Sequence, residues 1–250
     1  MVVVQTHLGS GHYGGRVAVI GFYLLSGYLM TLLCCGPYCG RFQAFWTNRL
    51  IRVFPTYWII YLASVLWLWR FPATPWGAEV MGNYGWWQIL GIVPVHFPQV
   101  NPSAWALSVE LFWWLAISLG IAATAWRTGL WLMASTIFVV VFGAWPLSDW
   151  YTTIWFGSFW FALGAFGYHA GLKLPRDEGW AMLAGAMSYP LFLCHMLVGA
   201  IVGHYLEIGR GWPLFFAALP FTLALSLALV LWVERPINRY RKQFRESQET

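Results

Sequence analysis

Charge is what this chain has least of. Lys, Arg, Asp and Glu make up 9% of its 250 residues, and 60% of the residues are hydrophobic. A soluble domain carries about 25% charged residues. A water-soluble fold of this length must turn a large part of its surface to water, and this composition cannot cover it. The apolar runs also lack the polar alternation of an outer-membrane barrel strand and are of helix length. The expected fold class is therefore all-α: a polytopic transmembrane helical bundle.

Cysteine is scarce too. Cys34, Cys35, Cys39 and Cys194 contain no C-x-x-C pair, so no zinc or other metal site is expected. Cys194 lies in an apolar run and reads as a small core residue. There is no H-E-x-x-H, G-x-S-x-G or P-loop pattern, which leaves soluble-type nucleotide and hydrolase sites without support. No fixed-period repeat and no appended soluble domain is visible. The start, MVVVQTH, has no basic region and is too short to span. It reads as the second half of a helix whose first half is missing.

Apolar runs of near-spanning length occur at 17–35, 56–71, 104–125, 129–146, 152–172, 187–206 and 212–233. The stretch 84–100 carries Pro94, His96 and Pro98 and reads as re-entrant, a backbone tolerated only inside protein or along a wet cavity. With that stretch not spanning, the loops 36–55, 126–128 and 173–186 and the tail from 234 share one side. They hold Arg41, Arg49, Arg52, Arg127, Lys173, Arg176, Arg235, Arg239, Arg241, Lys242 and Arg245, and only Arg16, Arg70 and Arg210 fall opposite. Positive charge collects on the cytoplasmic side. A spanning domain over 1–233 with a basic cytoplasmic tail over 234–250 follows. The net charge of +5 belongs to these loops, so a nucleic-acid partner is not expected. The tail reads as a helix end lying on anionic headgroups.

Ionisable groups within the spans are functional candidates by default. Glu110, in WALSVELFWWL, is the acid inside a clear span. It reads either as functional or as a structural Glu bonded to a neighbouring helix. His7, followed by the Gly-rich GSGHYGG, suits general-base work at a hydroxyl, or is an interfacial histidine; His12 is a weaker candidate. Arg49 and Arg52, in R-L-I-R before Pro55, share a helix face. They can grip phosphates or anchor the chain to the cytoplasmic boundary. His195, in SYPLFLCHML, reads by depth as a helix-packing hydrogen-bond former or as functional.

The same residues fall in a recognisable order. GGRVAVIGFYLLSGYLM (14–30), which contains Ser26, resembles the G-V-x-x-F-F-x-L-S-G-Y/F signature of the acyltransferase-3 family of membrane proteins. FWTNRLIRVFPTYW (45–58) resembles its R-x-x-R-x-x-P-x-Y segment. AWALSVELFWWL (104–115), with Trp105, Ser108 and Glu110, is similar to its W-S-L-S-x-E helix. FWFALGAFGYHAG (159–171) is similar to its F-x-x-G helix. MSYPLFLCHMLV (187–198), with Ser188, Tyr189 and His195, resembles S-Y-x-x-Y-L-x-H, and VERPINRYRK (233–242) resembles the closing E-x-P and basic tail.

The resemblance implies a multi-pass enzyme of a bacterial-type inner membrane. It moves an acyl group, acetyl being the leading expectation, from cytoplasmic acyl-CoA to a hydroxyl of an envelope or exported glycan. It implies that acyl-CoA is a donor substrate rather than a bound cofactor, and that a carbohydrate or lipid-linked glycan is the acceptor. By the same resemblance His7 is the essential histidine of the first helix, Arg49 and Arg52 handle the donor, and Ser26, Trp105, Ser108, Glu110, Ser188, Tyr189 and His195 are motif positions. With this goes a mechanism: His7 is the base, the arginines hold the donor, and Glu110 orients a polar group in a cavity joining the two faces. The family's arginine eleven residues before the histidine would fall before Met1, so either the start is truncated or this member lacks it. Two other readings stay open: a proton-coupled transporter or flippase of a polar or lipid-linked substrate, which buried Glu and His would also serve, and an inactive truncated paralogue.

Overall fold

A computed structural model describes residues 4, 7–9, 13–81, 85–92, 99–142, 152–173 and 179–249. Every regular element among them is helical. The helices are α1 (Tyr13–Cys35), α2 (Phe42–Arg70), α3 (Pro75–Met81), α4 (Trp105–Ser118), α5 (Ala125–Val141), α6 (Ile154–His169), α7 (Trp180–Leu206), α8 (Trp212–Leu229) and α9 (Arg235–Glu249). A 3-10 turn covers Trp86–Leu90, and a π-helical turn at Val230–Glu234 carries α8 into α9. Four stretches are long and apolar enough to cross a membrane: Gly15–Cys35, Phe42–Arg70, Met182–Leu206 and Trp212–Arg241.

The distribution of side chains suits lipid. On α2, Trp58, Leu62, Leu66 and Trp69 form an exposed apolar stripe, while Tyr57, Ile60, Tyr61, Ser64 and Leu68 point inward. Asn48, Arg49, Glu110, His195, Thr222 and Ser226 are all buried. A bundle with apolar groups outside and polar groups inside would aggregate in water. In a bilayer it satisfies both solvents.

Several expected boundaries differ: the run 104–125 is helical only over Trp105–Ser118, and the loop expected at 126–128 lies inside α5. Residues 42–55 were expected in a loop, but α2 begins at Phe42 and runs through Pro55. α7 starts at Trp180, ten residues before Pro190. Proline removes one backbone bond and clashes with the carbonyl four residues back. Neighbouring helices make that tolerable inside a membrane bundle. Around the expected re-entrant stretch, the 3-10 turn is tied to α2: Tyr57 Oη donates to the Gln88 carbonyl, and Trp58 Nε1 donates to that of Ile89 at 2.9 Å. The buried Gln88 Oε1 accepts from Val100 N at 2.8 Å. Positions 93–98, with Pro94, His96 and Pro98, lie outside the described residues, as does His12.

α1 packs most extensively against α6, then α7 against α8 and α5 against α6, with α4 resting on α1. The α1–α6 approach depends on glycine. A Cβ at Gly27 would run into the Phe161 backbone, and one at Gly164 into the Leu24 carbonyl. Small residues let two backbones meet where lipid offers no hydrophobic drive. The N-terminal segment has its own seat: Val4 and Leu8 pack with Val198, Val202, Leu214 and Phe215 from α7 and α8. Leu8 lies over Gly199, and Gly211 N donates to the Leu8 carbonyl at 2.9 Å.

Candidate functional site

That seat sets His7 against α7. Its Nδ1 lies 2.8 Å from Nε2 of His195, across 188 positions of sequence. The rings are nearly parallel, 8° apart, with centroids separated by 5.1 Å. His195 is completely buried, and its Nδ1 is 2.7 Å from the Phe192 carbonyl oxygen. A carbonyl can only accept, so His195 Nδ1 carries a proton. Neutral His195 then has its lone pair on Nε2, and His7 Nδ1 must donate to it. Neutral His7 is left with its own lone pair on Nε2. The Phe192 carbonyl thus fixes the tautomer of both rings and leaves His7 with a free basic nitrogen.

A second buried group lies between α1 and α4. Ser26 Oγ donates to Glu110 Oε1 at 2.6 Å and accepts from Trp114 Nε1 at 3.3 Å. Glu110 is 4% exposed. The first turns of α2 make a third group. Arg49 is 6% exposed, and its Nε is buried with no hydrogen-bond partner. Arg52, one turn on, is exposed. Arg49 and Arg52 both lie within electrostatic range of Glu110.

α7 links the three. Tyr189 Oη donates to the Val53 carbonyl at 3.0 Å, next to Arg52. His195 stands six residues further along α7, about 9 Å at the helical rise. Between them Phe192 packs on Phe22 of α1, with centroids 6.3 Å apart, and Phe22 is one turn before Ser26. The histidine pair and the arginine pair are thus ends of one line, with Ser26 and Glu110 beside it.

The remaining motif positions fall off that line or serve packing. Ser108 Oγ donates to the Gly91 carbonyl at 2.9 Å, holding the end of the 3-10 turn. Trp105 is buried at the start of α4. Ser188 is exposed and donates to its own helix at the Ala184 carbonyl, 2.8 Å away. Sequence reasoning missed two participants. Asn48 and Arg241 are joined at 2.8 Å, from Arg241 Nη2 to Asn48 Oδ1, although Arg241 reads in sequence as one tail charge among several. The only hint was the asparagine directly before R-L-I-R.

Fold and side-chain placement together define an all-α membrane protein with a buried polar line through its bundle. Compared with known proteins, the chain matches no family model, no curated protein and no solved structure.

Proposed function

We propose that this protein is a membrane O-acyltransferase that moves an acyl group, acetyl first among the expectations, from cytoplasmic acyl-CoA to a hydroxyl of an envelope or exported glycan. The observation that carries this reading is the His7–His195 hydrogen bond at 2.8 Å, which leaves an unprotonated Nε2 on His7. A hydroxyl attacks a thioester poorly at neutral pH unless a positioned base takes its proton. In the proposed reaction His7 Nε2 accepts the acceptor's O–H proton as the oxygen adds to the thioester carbonyl. The tetrahedral intermediate then expels the CoA sulfur, and the proton passes from His7 to that sulfur. The products are an O-ester and free CoA thiol. His195 accepts from His7 Nδ1 throughout and steadies the imidazolium that forms.

Arg49 and Arg52 suit the phosphates of the donor, since guanidinium groups bind phosphate oxygens in a fork. Glu110 lies beside the path and, through Ser26 and Trp114, holds α4 against α1. The membrane is proposed to be a bacterial-type inner membrane, with the tail cytoplasmic. The test uses purified protein in proteoliposomes with acetyl-CoA and an envelope-glycan acceptor, following thiol release and acetylated glycan by mass spectrometry. Wild-type protein is expected to release thiol only when acceptor is present. Acceptor-dependent turnover undiminished in His7→Ala would sink the base assignment.

A second reading rests on Glu110, a buried carboxyl in a bundle that also holds a histidine pair, which is also what proton coupling requires. Uptake of solute driven by a pH gradient, without thiol release, would favour that transporter.

A further inference from the structure

Arg241 belongs to α9, yet its guanidinium reaches across to α2. Nη2 donates to Asn48 Oδ1 at 2.8 Å, and Nη1 donates to Asn238 Oδ1 at 2.6 Å. Asn48 immediately precedes Arg49. The Nε atoms of Arg49 and Arg241 are both buried without a hydrogen-bond partner, and each guanidinium lies in the field of the exposed Arg52. Three cations gathered at one helix crossing repel one another. A buried donor with no acceptor adds a desolvation cost.

The acids nearby offset only part of this. Glu110 is engaged by Ser26 Oγ. Glu234, in the π-helical turn, lies within range of Arg52 and Arg241. Tyr38 also faces Arg49 and Arg241. What the arrangement lacks is an acceptor with several oxygens and more than one negative charge. A phosphate monoester or a diphosphate has both. Arg52 offers the entrance, because it is the member open to solvent.

We propose that Arg241 of α9 joins Arg49 and Arg52 of α2 in a single phosphate site, so that a bound phosphate clamps the C-terminal helix onto the bundle. That the phosphate belongs to the acyl donor rests on the acyltransferase reading; the site itself does not. Asn48 pre-aims Arg241, and the Nε atoms left over are the donors the ligand takes up. A free phosphate ester and a lipid headgroup share this chemistry, and they are told apart by the probe.

The experiment uses the full chain in neutral detergent, titrated with coenzyme A, 3′,5′-ADP and pyrophosphate, and in phosphatidylcholine nanodiscs with or without phosphatidic acid. Wild type is expected to bind coenzyme A and 3′,5′-ADP. Arg241→Gln should weaken both by about tenfold or more, as loss of charge-assisted hydrogen bonds requires, and Arg241→Lys should fall between. Hydrogen exchange on wild-type protein supplies a reading free of folding defects: coenzyme A should slow amide exchange in α9 around Arg241. Wild-type binding that is unchanged in Arg241→Gln, with no protection in α9, overturns the three-arginine site and leaves the donor reading standing. Arg241-dependent binding without any acyl transfer supports the site and removes the enzyme reading. Arg241-dependent binding to phosphatidic acid alone supports the site and assigns it to a lipid headgroup. No binding of any of these phosphates by wild type overturns it.

Discussion

At the scale of single residues, the histidine pair makes the most demanding claim, because it assigns a proton to each nitrogen. If His7 is the base, His7→Ala should lower acceptor-dependent thiol release by roughly 10²–10⁴-fold. His195 acts through His7, so its replacements should separate by whether they can accept a hydrogen bond. His195→Gln can still accept from His7 Nδ1–H and should retain more activity than His195→Phe, which cannot. A base works only unprotonated, so wild-type turnover should fall as pH drops through the imidazole range. The pH–rate profile of His195→Gln should show that acid limb displaced, which a purely structural role would not produce. Ser26 gives a stability prediction. Its hydroxyl serves Glu110 and Trp114 at once, so Ser26→Ala strands a buried carboxyl oxygen and an indole N–H. That should cost about 1–3 kcal/mol, seen as a lower thermal midpoint in detergent. Neither arrangement could be read from spacing. His7 and His195 are distinguishable as candidates in the sequence, but 188 positions separate them, and it is the seating of Val4 and Leu8 on α7 and α8 that joins them.

At the scale of elements, the apolar runs were legible and the helix starts were not. The core of each long helix follows from the need for about 20 apolar residues. The first turns of α2 carry Asn48, Arg49 and Arg52 ahead of Pro55, a pattern that in water marks a loop before a helix. They are helical here with Asn48 and Arg49 turned into the bundle, where Asn48 accepts from Arg241. The membrane changes the meaning of a polar stretch from exposed to inward. Glycine shows the same dependence on context. Gly27 and Gly21 both lie on α1, but a Cβ at Gly27 meets backbone of Phe161, while one at Gly21 meets nothing within 4 Å. Gly27→Ala should therefore destabilise by about 1–3 kcal/mol or more, since backbone cannot step aside as a side chain can. Gly21→Ala should be neutral or slightly stabilising, because it removes unfolded-state freedom at no steric cost. Thermal midpoints of the two variants, measured side by side, test the α1–α6 crossing; equal losses would count against it.

At the scale of the whole molecule, the two ends of the polar line must face different sides if the proposed reaction is to use a donor from one compartment and an acceptor from another. The connection of sides is partly geometric. Arg241 touches Asn48 near the start of α2, so the C-terminal helix and the turn at 36–41 belong to one face. Cys39, a free and exposed thiol, sits in that turn. The proposed orientation puts that face, with its excess of Lys and Arg, on the cytoplasmic side. His7 lies further along α7, past Phe192, and Arg210 lies within its electrostatic range; Arg210 is one of the basic residues that sequence reading places opposite. The prediction concerns labelling and activity together. A membrane-impermeant maleimide should modify Cys39 in inside-out vesicles and leave it unmodified in right-side-out vesicles. The same inside-out vesicles should consume added acyl-CoA, and right-side-out vesicles should not. Labelling and acyl-CoA access that segregate to opposite vesicle preparations would break the link between the arginine face and the donor. Labelling from the right-side-out face, with acyl-CoA access on that same side, would keep the link but invert the orientation drawn from the basic residues. The pairing of the two results matters more than either alone, because charge bias supports the proposed orientation while the Arg241–Asn48 contact sets which groups share a side.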